Sequence, residues 1–301
     1  MPEPLDHSGV KLDIEALLRL RHVVRSWPRK DSPANSLPGG LVHKRRGRGL
    51  EAAEIRHFVD GDDVRLIDKN ATARTGTLHV KSPHDERDQT ALLIADFRPS
   101  MLWGTRRAFR SVAAAETLAL MGWKLVSQGV RVALLAVRSG GPDILPPRGR
   151  DAGMVAAIGA LSKAHAEALR RIDDQEPELA PSLRLARELC PRGTSVFLAS
   201  ALERRGEDFD AALRALDHVC PVTVLRIADA FELEAPKGRF PIIRGDGRRM
   251  MAKPASLDRK AELEAFKRWN IAASVIDSAR APEQAPEYAP EHSSLIGGSY
   301  G

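Results

Sequence analysis

The residues best suited to chemistry stand where apolar runs end. Ala91-Leu92-Leu93-Ile94-Ala95 runs into Asp96, and the loop Asp96-Phe97-Arg98-Pro99-Ser100 then places a carboxylate, a guanidinium and a hydroxyl at two-residue intervals. A second run, 195–199, opens into Ser200-Ala201-Leu202-Glu203, and a third, 222–227, is followed by Asp229 and Glu232. An earlier stretch is dense in charge: Glu51, Glu54, Arg56, Gly61-Asp62-Asp63, Arg65, Asp68 and Arg74. Its carboxylates could serve a two-metal hydrolase acting on a phosphorylated substrate. Catalytic acids also need a cleft, however, and alternating signs at short spacing favour a structural ion network, with Arg56, Asp63 and Asp68 its innermost members. The run His43-Lys44-Arg45-Arg46-Gly47-Arg48-Gly49 lacks the Gly-Lys-Ser/Thr ending of a phosphate loop and the interleaved aromatics of a single-strand stacking platform. A nucleic-acid role would rest on charge alone and would show steep salt dependence. No Gly-x-Ser-x-Gly elbow occurs, and His43, His57, His79, His84 and His165 are scattered without metal-site spacing. Cys190 and Cys220, each followed by proline, read as ordinary buried thiols. No cofactor is expected.

These groups are positioned by alternating strand and helix patterns. The apolar run before Asp96 is continuous, as in a strand buried on both faces. A helical stripe follows over 105–128, stopped by Gly129, then a strand over 130–137. Gly140-Gly141-Pro142-Asp143 marks a turn, with a short return at Ile144-Leu145. Helices are expected at 152–164, 181–189 and 208–218, and strands at 195–199 and 222–227. Strand–helix alternation implies right-handed parallel crossovers, hence an α/β fold with a doubly wound, mostly parallel sheet. Ligands then bind beyond the carboxyl ends of the strands. Before this core lie a helix over 13–26 capped by Asp13, a loop at 28–40, a short helix over 64–72 capped by Asp62 or Asp63, and a half-exposed strand at 77–81. After it come a weak hairpin at 239–252 and a helix at 256–269. The expected divisions are 1–40 (helix and linker), 41–88 (the charged segment), 89–278 (the sheet domain) and a disordered tail at 279–301.

Of 301 residues 43% are hydrophobic and only 5% aromatic, and the formal charge is +6. This permits acidic partners, nucleic acid or anionic membranes without selecting one. No apolar run reaches 18 residues, and the first residues lack a signal-peptide pattern, so a cytoplasmic protein without a membrane span is expected.

The pattern Gly47-x-Gly49-x-Glu51-x-x-Glu54-x-Arg56-x-Phe58-x-x-Gly61-Asp62-Asp63-x-Arg65-x-Ile67-Asp68, followed by Ala73-Arg74 and Leu78-x-Val80, resembles the signature of the bacterial domain of unknown function 58 family. The likeness continues through Asp229-x-x-Glu232-x-x-x-Pro236-x-Gly238 and spans about residues 40–275. That family couples its signature to a von Willebrand factor A-like domain, which implies a Rossmann-type sheet. The loop at Asp96 resembles the Asp-x-Ser-x-Ser loop of A-type domains, whose acid and hydroxyls hold a divalent cation, a hard ion that prefers oxygen ligands. This chain departs from the pattern at each ligand loop. Arg98 replaces the middle serine, Ala201 follows Ser200 where an aspartate is usual, and 146–153 offers no threonine; Lys69 also replaces a tryptophan. Arg98 is therefore expected to act as an internal counter-ion to Asp96 in a metal-free loop, the alternative being weak Mg²⁺ binding at Asp96 and Ser100. The resemblance implies a non-enzymatic interaction or adaptor protein working beside a MoxR-type AAA+ ATPase in assembly or remodelling of other proteins. Asp96, Arg98, Ser100 and Ser200 would be its contact residues.

Overall fold

The computed structural model describes residues 9–27, 54–59, 64, 67–82, 89–170, 176–243, 249–253 and 256–284. The chain divides into two compact units, one of residues 42–89 and one of the remainder. Helix α1 (Ile14–Ser26) opens the larger unit, and the Asp13 carboxylate caps it by accepting from the amides of Glu15 and Ala16 at 2.9 and 3.2 Å.

In the smaller unit β1 (Glu54–His57) pairs antiparallel with β2 (His79–Ser82), and α2 (Lys69–Thr75) lies between them in sequence. The helix expected over 64–72 is thus displaced. Ile67 is still extended, bridged to Val80, so the α-helix begins only after Asp68. The Asp68 carboxylate is the cap, accepting from Asn70 N at 2.8 Å and Ala71 N at 3.0 Å. Asp62 and Asp63, the expected caps, lie outside the described residues, as do the 28–40 loop and the basic run at 43–49.

The larger unit is built on β3 (Thr90–Asp96), followed by α3 (Arg110–Ser127), β4 (Arg131–Val137), β5 (Asp143–Arg148), α4 (Arg150–Arg170) and α5 (Ala180–Leu189). Then come β6 (Ser195–Ser200), α6 (Phe209–Asp217), β7 (Val222–Ala228), α7 (Ala230–Leu233), the separate hairpin β8 (Phe240–Ile243) and β9 (Arg249–Ala252), α8 (Arg259–Lys267) and β10 (Ala272–Asp277). Six strands form one sheet in the order β10-β7-β6-β3-β4-β5, parallel except for the antiparallel edge strand β5. Pro146 and Pro147 lie in the edge strand β5 where its register with β4 shifts, between the pairs Leu134–Leu145 and Val132–Arg148, so neither missing N–H breaks a regular ladder pair. This is the doubly wound α/β fold that the strand–helix alternation predicts.

Side-chain alternation splits the core in two. Ala91, Leu93 and Ala95 of β3 join α1, α3 and α4 on one face, whereas Leu92 and Ile94 join α5, α6 and Phe266 on the other. Trp123 fixes α1 on α3 by donating from Nε1 to the Leu17 carbonyl at 2.9 Å. Several elements differ from expectation. Helix α3 begins at Arg110 rather than 105, because Thr105 N, Phe109 N and Arg110 N are committed to Asp229, Gly9 and Trp103. Helix α4 runs six residues past 164, and β10 was not expected at all. The tail expected from 279 contains a 3-10 turn at Pro282–Gln284, and 285–301 lie outside the described residues.

Candidate functional site

The chain leaves β3 in one direction to β4 and β5, then returns to β6 on its other side. The order therefore reverses between β3 and β6, the switch point at which open α/β sheets hold ligands. Asp96 ends β3 and Ser200 ends β6, so the topology sets their side chains together: Ser200 Oγ donates to Asp96 Oδ2 at 2.6 Å and accepts from Leu202 N at 2.8 Å.

Arg98 fills the crevice beside them. Asp96, Arg98 and Ser200 are all fully buried. Arg98 Nε donates to Asp96 Oδ1 at 2.9 Å and Nη2 to Oδ2 at 2.8 Å, a bidentate pair, and the Arg98 amide adds a third bond to Oδ1 at 3.0 Å. The remaining guanidinium hydrogens go to main-chain carbonyls. Nη1 donates to Pro177 O at 2.7 Å and Arg204 O at 3.2 Å, and Nη2 to Glu203 O at 3.0 Å. With these contacts the five N–H donors of the guanidinium have acceptors. Burial is the largest influence and opposes its charge, but Asp96, by charge and hydrogen bond, together with the charges of Glu176 and Glu203 outweighs burial, and the Arg98 pKa stands above its ordinary value.

The loop after β6 is bent to supply those carbonyls. Leu202 and Arg204 adopt left-handed conformations, with φ of 55° and 40°, which L side chains disfavour. Strain of this kind collects where surrounding structure over-determines the backbone. Ser100 completes the group from the β3–α3 loop. Its amide donates to Glu176 Oε2 at 3.0 Å and its hydroxyl to Glu176 Oε1 at 2.7 Å, and Glu176 Oε1 also lies 3.4 Å from Arg98 Nη1.

The residues present do not fit a divalent cation. Both Asp96 oxygens are engaged by a permanent cation occupying the space an ion would need, and among the described residues no three His, Cys, Asp or Glu side chains gather as a metal cluster.

A second charged group surrounds the tip of β7. Asp229 forms a capping box with Glu232 at α7 and accepts from Thr105 N, the Thr105 hydroxyl and, at 3.2 Å, the Ser278 hydroxyl. Burial would raise the Asp229 carboxyl, but these bonds outweigh it and hold it below the usual carboxylate range. Glu232 is clamped between Arg110 Nη2 at 2.5 Å and Arg226 Nη2 at 3.1 Å, and Arg226 continues to Glu262 at 3.2 Å. Arg110 links the two groups: Nη1 donates to Ser100 O at 3.1 Å, and its guanidinium lies 4.2 Å from the Trp103 ring centroid. Burial lowers its pKa despite Glu232.

Of the residues singled out in the sequence, Asp96, Arg98, Ser100 and Ser200 come together, and Asp229 and Glu232 border them. Glu54 and Arg56 belong to β1, Asp68 caps α2, and Arg74 is exposed in the last turn of α2, all in the smaller unit. Glu51, Gly61, Asp62, Asp63 and Arg65 lie outside the described residues. Sequence reasoning missed Glu176, Arg110, Thr105, Ser278 and Arg226; only Arg226 carried a signal, a charge inside an apolar run. Cys190 and Cys220 are free, and burial pushes the Cys190 thiol up to about 12, so it is protonated at neutral pH.

The family model described as "Protein of unknown function DUF58" matches residues 54–243, well over half of the chain. The chain is a DUF58 protein. The match takes in the chain from Glu54 through strands β3–β7 of the sheet to the end of β8, so the family pattern covers Asp96, Arg98, Ser100, Ser200, Asp229 and Glu232 alike. No curated protein matches this DUF58 chain. Among solved structures it is similar to the SpRpn10 VWA domain, with 11% identity and a TM-score of 0.39 over 66% of this chain and 96% of that one. It is also similar to an uncharacterized membrane spanning protein from Vibrio fischeri, with 17% identity and a TM-score of 0.21 over 66% and 95% of the two chains. In the DUF58 chain itself, no helix among the described residues is long and apolar enough to cross a membrane.

Proposed function

We propose that this chain is a non-catalytic protein-interaction or adaptor module that receives a protein partner on the strand-end surface around Asp96, Arg98, Ser100 and Ser200. The partner class proposed is a MoxR-type AAA+ ATPase, with the pair acting in assembly or remodelling of other proteins, and the compartment proposed is the cytoplasm. One observation carries the reading: the switch point, where doubly wound sheets present ligand contacts, holds a fixed and fully hydrogen-bonded guanidinium. A group so completely satisfied is unsuited to proton transfer. It fixes the surrounding loops and supplies a permanent charge, while the partly exposed Ser100 is the group through which the face reaches a partner. The test is affinity purification with a MoxR-type ATPase from the same genome, paired with its ATP hydrolysis rate on mixing. Co-purification that weakens in Ser100→Ala is expected. Recovery of no such ATPase, together with an unchanged hydrolysis rate, would sink the reading.

A further inference from the structure

Two carboxylates face one guanidinium at this site, and they are held unequally. Asp96 takes two guanidinium bonds and the Ser200 hydroxyl, all at 2.9 Å or less. Carbonyls of Pro177, Glu203 and Arg204 take the other guanidinium hydrogens. Glu176 is left with the amide and hydroxyl of Ser100 as its hydrogen bonds, and it meets Arg98 only as a charge at 3.4 Å. Unlike Asp96, Glu176 and Ser100 are both partly open to solvent. The backbone just after Glu176 is tied down, by Pro177 O to Arg98 and by the amides of Leu179 and Ala180 to the carbonyls of Arg204 and Arg205. Exchange at this position is therefore the swing of one side chain.

We infer that Ser100 N–H, Ser100 Oγ–H and the Arg98 cation form a carboxylate-binding site, filled in the resting chain by its own Glu176 and taken over by an Asp or Glu side chain of the protein partner. The inference rests on the proposed recognition role of this face. Its chemistry is specific: two parallel donors match the two oxygens of a carboxylate, and the nearby cation rewards a full negative charge. Glu176 then acts as an internal competitor, since a site occupied from within binds an outside ligand only in the fraction of molecules where it is vacant.

The probe is sodium acetate, titrated against sodium chloride of equal ionic strength, with the Ser100 amide resonance and the melting temperature as readouts. In Glu176→Ala, acetate should shift the Ser100 amide and raise the melting temperature at concentrations roughly ten-fold lower than in the wild-type chain. Chloride should do neither, and Ser100→Ala in the same background should abolish the response. Glu176→Gln keeps the side-chain volume, and it should also bind acetate better than wild type; it serves if the alanine variant folds poorly. Equal acetate affinity in wild type and variant, or none in a folded variant, overturns the inference. The two proposals fail separately. Capture of the ATPase by a chain whose Glu176 variants ignore acetate removes the carboxylate site and leaves the adaptor role. Acetate binding without any ATPase capture does the reverse.

Discussion

Arg98 is the residue whose loss should be felt most sharply. Arg98→Ala would leave Asp96 charged, fully buried and without its partner, a change that typically costs about 3–5 kcal/mol. Urea unfolding at neutral pH measures it. Arg98→Ser is a different experiment, because it removes the cation and returns a hydroxyl beside Asp96, Ser100 and Ser200. Mg²⁺ or Mn²⁺ should then raise the melting temperature of the variant while leaving wild type unchanged. Tight wild-type Mg²⁺ binding abolished by Asp96→Ala would overturn that expectation. His165 gives a second residue-scale test. It is buried, shares a 2.9 Å hydrogen bond with Ser111, lies edge-on to Phe97, and burial pushes its pKa down to about 4. Below pH 6.5 the unfolded chain takes up a proton that the folded chain refuses until about pH 4, so stability falls as pH drops through this window. Between pH 7 and pH 5 the loss should be roughly 2 kcal/mol, and His165→Gln should flatten it in paired urea titrations. Which residues were legible follows from distance along the chain. Asp96 and Arg98 are two apart, so their pairing could be anticipated from the loop alone. Glu176 reaches Ser100 from 76 positions away, and nothing in its neighbourhood marks it as a contact.

At the scale of elements, the β6–α6 loop sacrifices backbone comfort to aim the Glu203 and Arg204 carbonyls at Arg98. Arg204 has an exposed side chain, so its φ of 40° can be relieved without emptying any packing. Arg204→Gly should therefore be neutral or stabilising by up to about 1 kcal/mol, where a glycine in a loop ordinarily costs stability. Thermal unfolding measures the sign. Gly104 has the opposite character: a Cβ there would stand 2.3 Å from the Ala108 carbonyl oxygen, so Gly104→Ala should lower the melting temperature. The sequence was most readable where burial is complete. Strands β3, β4, β6 and β7 are near-continuous apolar runs and lie close to their expected positions. Strand β10 escaped notice because its first half is only partly buried and reads Ala-Ala-Ser, with no apolar run or alternation to detect. The cap of α2 was misplaced because Gly61-Asp62-Asp63 is a stronger local turn signal than Asp68. Pairing of Ile67 with Val80, a tertiary fact, holds Ile67 extended and leaves Asp68 to cap the helix.

For the molecule as a whole, α1 behaves as part of the larger unit rather than as an appendage. Leu17, Leu20 and Val24 are buried in the core that contains α3 and α4. Deleting residues 1–27 would return them to solvent along with the Trp123 surface they cover, a loss on the order of 5 kcal/mol from burial alone. The truncated chain should bind 1-anilinonaphthalene-8-sulfonate and melt at a markedly lower temperature; an unchanged melt would show α1 to be dispensable. The family and the doubly wound fold were legible because signature and strand runs are local patterns. The strand-end network was legible only at Asp96, Arg98, Ser100 and Ser200, because its remaining contacts arrive from distant segments at 176–177, 203–204, 226–232, 262 and 278. The buried guanidinium has one further consequence. A charge carried by the polypeptide cannot be stripped by a chelator, diluted out during starvation for magnesium or exchanged for calcium. The surface is complete once the chain has folded, and its charge is set by a codon rather than by the ion supply of the cell. Capture of the proposed ATPase partner, free of nucleotide, should accordingly be the same in EDTA as in magnesium buffer.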